Sequence, residues 1–187
     1  VTNPIYVKKY TLNLGLTLVP IPPGQKGPKH VNWQKDPKVW INKNNQETRK
    51  GWNIGVLHSQ SNTCCLDIDD MSKALSALSS LGFPVEELRK EPTAYYGNPE
   101  RLKVLYRLPS NIEGIPYYKG AGFEFRSGSM QDVLPPSIHP DTGEEYVWIN
   151  GIPSTIPEVP SKLLEAIGLL ENDTLSKFDK EKVSGPK

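Results

Sequence analysis

The stretch Thr63-Cys64-Cys65-Leu66-Asp67-Ile68-Asp69-Asp70 decides how this chain is read. It has the pattern of a buried strand that carries acids on one side. Side chains alternate along a strand, so Leu66 and Ile68 point one way and Asp67 and Asp69 the other. Same-face neighbours rise by roughly 6.8 Å, twice the step of one residue. Carboxylates that close repel unless a cation lies between them. Oxygen ligands at this spacing suit a hard divalent ion such as magnesium or manganese. The competing reading is a surface strand end with solvated acids, because Asp-x-Asp is short and common. Asp70 falls where the strand ends and is placed to cap a helix beginning at Met71.

Outward from this strand, Met71, Ala74, Leu75, Leu78 and Leu81 recur at helical spacing and predict a core-facing stripe ended by Gly82. Residues 53–58 predict a neighbouring strand. Residues 93–96 and 102–108 predict two more, joined by the turn-rich Gly97-Asn98-Pro99-Glu100-Arg101. Lys103, Leu105 and Arg107 share one face of the second. Lys103 and Arg107 either neutralise phosphate beside the acids or are solvated cations on an edge strand.

Gly122-Phe123-Glu124-Phe125-Arg126 repeats the alternation, with the phenylalanines in the core and Glu124 and Arg126 on the other face. Alone, Glu124 reads as a surface acid. Beside Asp67 and Asp69 it completes a three-carboxylate metal site. In Val133-Leu134-Pro135-Pro136-Ser137-Ile138-His139-Pro140 the prolines stiffen the backbone and hold Ser137 and His139 as ligand-binding candidates.

Near the N-terminus, Asn3-Pro4 predicts a helix start, a run to Leu14 and a stop at Gly15, followed by a strand over 16–21. The loop Gln25-Lys26-Gly27-Pro28-Lys29-His30 lacks the Gly-Lys-Ser/Thr ending of a phosphate loop. It is either a solvated turn or a place where Lys26 or Lys29 meets phosphate. Asp36-Pro37 predicts a short helix through Trp40. Pro160 predicts a last helix with Leu163, Leu164, Ile167 and Leu170, and residues 171–187 a polar tail or linker.

A chain of 187 residues suffices for one domain with a good core. Its net charge of +1 gives no global basic field, so any nucleic-acid contact must be local. No run of about 18 apolar residues predicts a membrane span. The adjacent Cys64 and Cys65 face opposite ways, which disfavours a disulfide or a zinc site. A reducing, cytoplasmic setting is the expectation. Val1 in place of Met suggests an excised or processed segment.

The ordered set is more specific than any member. It runs from a Lys-Gly-Pro-Lys loop and a Trp through Asn53-Ile54-Gly55-Val56, Leu66-Asp67-Ile68-Asp69 and Gly122-Phe123-Glu124-Phe125-Arg126. It ends with Pro135-Pro136-Ser137-Ile138-His139, Gly143 and Tyr146-Val147-Trp148. From Pro4 to Ile149 the chain resembles the bifunctional primase-polymerase domain of the archaeo-eukaryotic primase superfamily, found in plasmid and phage replication proteins and with some CRISPR systems. The resemblance implies an α+β fold. A mixed sheet with an RNA-recognition-motif-like core would hold the acids, and a smaller N-terminal α/β subdomain would pack beside it. The catalytic domain would cover about 1–170, with the α/β part at 1–60, the catalytic sheet at 53–150 and a helix at 160–170.

The resemblance also implies the chemistry. Asp67, Asp69 and Glu124 match the family's catalytic acids, which hold two magnesium or manganese ions. Lys103, Arg126, Ser137 and His139 would bind the nucleoside triphosphate. Lys103 stands where the family usually offers a histidine, a departure that puts nucleotide preference in question. The implied partners are a single-stranded DNA or RNA template, a primer and NTP or dNTP, with a helicase or CRISPR-associated protein fused or bound. Exposed aromatics such as Tyr95 or Trp52 are candidates for base stacking. Two other functions share these features: a metal-dependent nuclease and a non-catalytic nucleic-acid-binding module of the same fold.

Overall fold

The computed structural model describes residues 4–37, 51–109, 112 and 117–168. The Asn3 cap, the end of the helix expected at 36–40 and the tail at 171–187 lie outside them. The N-terminal helix α1 (Pro4–Lys8) continues as a π-helical turn over Lys9–Asn13. Gly15, at φ +62°, turns the chain out of it. There follow β1 (Leu18–Ile21), β2 (Asn53–Leu57), the single turn α2 (His58–Ser61) and β3 (Thr63–Ile68). Helices α3 (Met71–Ser80) and α4 (Val85–Leu88) lead to β4 (Ala94–Tyr96) and β5 (Leu102–Arg107). The chain then forms β6 (Tyr118–Lys119), β7 (Phe123–Arg126), β8 (Gln131–Leu134), β9 (Val147–Trp148) and α5 (Ser161–Ala166).

The fold is α+β with two sheets, ordered β1-β2-β8 and β6-β7-β3-β5-β4-β9. Every pairing between these strands is antiparallel, where a mixed sheet was expected. β3 and β4, joined through α3 and α4, run parallel to each other, but β5 lies between them and pairs antiparallel with both, so no two hydrogen-bonded neighbours are parallel.

The two faces of the larger sheet bury different material. Leu66, Ile68, Val104, Phe123 and Phe125 pack under α3 and α5 with Ala74, Leu78, Leu163 and Leu164. Leu105, Tyr95 and Trp148 face the other way, into a second core with Val7, Tyr10, Ile54, Val56 and Leu134. Helix α3 is capped by Asp70, whose Oδ1 accepts from the Lys73 N–H at 3.3 Å. Its buried stripe runs through Ala74 and Leu78; Leu75, expected in the core, is 41% exposed because it lies about 100° further round the helix.

Val133 and Leu134, the start of the proline-stiffened stretch in the sequence, are the last two residues of β8. Its four residues pair with β2, which brings a segment from the second half of the chain into the small sheet. That placement forms the site.

Candidate active site

Residues directly opposite one another in an antiparallel pair share a face. The register lays Lys119, Glu124, Asp67, Lys103, Tyr95 and Trp148 in one row across all of the larger sheet. Asp67 has Glu124 on one side and Lys103 on the other. The row faces the small sheet, from which Asp132 on β8 meets it.

The side chains form a continuous ionic network. Lys103 Nζ donates to Asp67 Oδ2 at 2.5 Å and to Asp132 Oδ1 at 2.7 Å. Arg126 Nε donates to Asp132 Oδ2 at 3.1 Å, and its Nη1 donates to Glu124 Oε2 at 3.2 Å. His58 Nε2 lies 2.8 Å from Asp132 Oδ2, and its Nδ1 lies 2.9 Å from Thr63 Oγ1. The Tyr117 hydroxyl donates to Glu124 Oε1 at 2.8 Å.

Burial disfavours charge on Asp132, but Lys103, the His58 hydrogen bond and Arg126 overcome it and hold the carboxyl well below its ordinary range. Burial likewise opposes charge on Lys103, and Asp132 and Asp67 outweigh it, so the ammonium persists above its ordinary range. Asp67 is shifted upward. Burial is the main cause, Lys103 opposes it, and Asp132 competes for the same ammonium. Asp67 is thus the less well compensated of the two acids.

A cleft of about 190 Å³ opens on this network, lined by Lys26, Asp67, Arg101, Lys103, Arg126, Asp132 and His139 among others. His139 Nδ1 accepts the backbone N–H groups of Asp141 and Thr142 at 3.2 and 3.4 Å. Its neutral ring therefore carries its proton on Nε2. Burial, reinforced by Lys26, Arg101 and Lys103, shifts it downward against the pull of Asp141. At the rim, Lys26 Nζ reaches Asp141 Oδ2 at 2.5 Å, and the Lys26 carbonyl accepts from Gln131 Nε2 at 3.0 Å. These two bonds seat the basic loop beside the cleft.

Of the residues singled out in the sequence, Asp67, Lys103, Arg126 and His139 meet at the cleft. Glu124 adjoins it through Arg126. Asp69 is exposed, one residue past the end of β3, and the N–H groups of Asp69 and Asp70 donate to the Gly122 carbonyl at 3.1 Å each. Ser137 does not line the cleft. It is buried, and its Oγ accepts the Ile54 N–H at 2.8 Å, tying the proline-rich loop to β2. Arg107 shares a face with Lys103, but its guanidinium donates to the carbonyls of Ser61 and Leu14, both at 2.6 Å. Tyr95 is fully buried, which removes it as a stacking platform, and Trp52 packs partly buried against the core. Cys64 and Cys65 are free and buried.

Sequence reading missed Asp132 and His58. The available signal was an acid inside the strand-like run Gln131-Asp132-Val133-Leu134. A buried acid needs a partner, and Arg126 is on the preceding strand.

The family model for the bifunctional DNA primase/polymerase N-terminal domain matches residues 8–162. The chain belongs to this family. Membership implies a DNA primase/polymerase, with nucleic acid and nucleotide as its substrates. Comparison with curated proteins found no match. Among the described residues, no helix of this primase/polymerase domain is long and apolar enough to cross a membrane.

Primase/polymerases generally use divalent metals. Among the described residues no group of three or more His, Cys, Asp or Glu stands ready to enclose an ion. Asp67 and Glu124 are turned instead to Lys103 and Arg126. The donor set still fits a hard cation. It offers the carboxylate oxygens of Asp67, Asp132 and Glu124, which share Lys103 and Arg126 between them, with the exposed Lys119 at 4.0 Å from Glu124 and His58 on Asp132.

Proposed function

We propose that this domain is a template-directed nucleotidyltransferase, a DNA primase/DNA polymerase that adds nucleotides to a 3′-hydroxyl. The observation that carries the reading is the row Glu124–Asp67–Lys103 in a chain of this family, with Asp67 and Lys103 lining the cleft and Glu124 adjoining it through Arg126. The strand order β7-β3-β5-β4, with helix α3 following β3, supports reading the larger sheet as an RNA-recognition-motif-like catalytic core. α1, β1 and β2 are then the N-terminal subdomain, to whose sheet β8 is added from the later part of the chain.

In this reading Asp67, Asp69 and Glu124 hold two magnesium or manganese ions, which when bound stabilise charge on the attacking and leaving oxygens. The 3′-hydroxyl attacks the α-phosphate and pyrophosphate leaves. Lys103 and Arg126 present positive charge to the triphosphate, and His139 offers an Nε2–H from the facing loop. Ser137 acts on the nucleotide through that loop, which it anchors to β2.

The test is nucleotide incorporation on a single-stranded template, with and without primer, in magnesium and in manganese, comparing NTP with dNTP. Replacing both Asp67 and Asp69 with Ala is expected to reduce extension to background while circular dichroism stays unchanged. Wild-type extension by the double variant would place the site elsewhere. Lys103→Ala is expected to weaken nucleotide binding about tenfold, the loss of one charge-assisted hydrogen bond. An unchanged dissociation constant would remove Lys103 from the site.

One observation favours a second reading, a non-catalytic nucleic-acid-binding module: Asp67 is already paired with Lys103, the residue at the histidine position. Calorimetry with a nucleotide and manganese separates the two, since no binding favours the module.

A further inference from the structure

Lys103 is shared between acids from different sheets, Asp67 on β3 and Asp132 on β8. A divalent cation on Asp67 would meet the Lys103 ammonium on the same carboxylate, and like charges at that distance repel. Lys103 occupies Oδ2 of Asp67, so a cation on that carboxylate binds more tightly when Lys103 lets go. Its other acceptor is already in place. Asp132 Oδ2 is occupied by His58 and Arg126, which orient the carboxylate and leave Oδ1 to Lys103. A lysine suits this exchange because its ammonium is a point charge on a flexible stem and can shift between acceptors. Tyr95, directly across from Lys103 on β4, buries a hydroxyl with no hydrogen-bond partner among the described residues. Its oxygen is an unused acceptor on the strand next to Lys103.

We propose that Asp132 is a positioning residue that receives Lys103 when a divalent cation takes Asp67 and keeps it in the cleft for the phosphates of the nucleotide. This rests on the reading of Asp67 as a metal ligand. Lys103 is then a resident counter-ion, displaced by the metal and not lost from the site.

The test is manganese binding to the full chain, followed by electron paramagnetic resonance without nucleotide, so that turnover plays no part. Lys103→Met removes the competitor and is expected to tighten manganese binding about tenfold. Asp132→Asn removes the receiving acceptor and is expected to weaken it by a similar factor. In the Lys103→Met background the Asp132→Asn effect should vanish, because the two act through one contact. Should Asp132→Asn fail to fold, the same cycle with Asp132→Glu reads the coupling. An affinity indifferent to Lys103→Met, or an Asp132 effect that persists without Lys103, overturns the proposal. A manganese affinity unchanged by Asp67→Asn instead overturns the metal-ligand reading, and the proposal with it.

Discussion

Asp132 is the residue on which the site's electrostatics turn. It is 3% exposed and contacts Lys103, Arg126 and His58. Breaking a buried ion pair on one side leaves the partner charge uncompensated, so Asp132→Asn should cost about 3 kcal/mol of stability. The pH dependence follows from its depressed pKa. Below the ordinary value of 3.8 the unfolded chain takes up the Asp132 proton before the folded one does. Its contribution is therefore complete above about pH 4 and lost as pH falls toward the folded value. Asp67 has the opposite sign: its raised pKa means stability is lost as pH rises from 3.8 through the folded value. Urea midpoints measured from neutral to acidic pH should drop below about pH 4 in the wild type. In Asp132→Asn that drop should be shallower, and equal slopes would contradict the assignment.

Among the elements, the junction of β3, α3 and β7 depends on Gly122. Its φ of +76° is a conformation that other residues rarely adopt, and a Cβ there would lie 2.4 Å from the Asp70 carbonyl oxygen and 2.8 Å from the Ala74 nitrogen. Both close neighbours are main chain, so neither can rotate away. The Gly122 carbonyl also holds the N–H groups of Asp69 and Asp70. Gly122→Ala should destabilise by about 2–3 kcal/mol through strain at this joint. It should also lower nucleotide incorporation by shifting Asp69 against Asp67. A variant with wild-type melting temperature and activity would show that the junction gives way without consequence.

For the molecule as a whole, the question is what holds the small sheet and N-terminal helix against the larger sheet. Part of the answer is Tyr10, which is fully buried. Its hydroxyl donates to the Pro135 carbonyl at 2.6 Å and accepts the Trp148 Nε1–H at 2.7 Å. Three distant parts of the chain meet at this one oxygen: the first helix, the end of β8 and the edge strand β9. Tyr10→Phe keeps the ring and leaves a donor and an acceptor buried without partners, a cost of about 2–3 kcal/mol. Chemical denaturation should show the lower midpoint, and an unchanged midpoint would mean that the oxygen contributes nothing to the joint.

The sequence by itself determined the strand with Asp67, the capped helix after it, the alternation in Phe123–Arg126 and the face shared by Lys103 and Leu105. These are local properties, set by a period of two or of 3.6 residues and by caps and turns. It also determined the family, through the order of motifs that are weak one at a time. Only the tertiary structure decided that the named strands pair antiparallel, that Glu124 stands directly opposite Asp67, that Arg107 is taken up by backbone carbonyls and that Ser137 serves a strand. It alone brought Asp132 and His58, 74 residues apart, to one buried contact. Strand register and the stacking of one sheet on another are non-local, and alternation reports which side a residue faces without reporting what it faces.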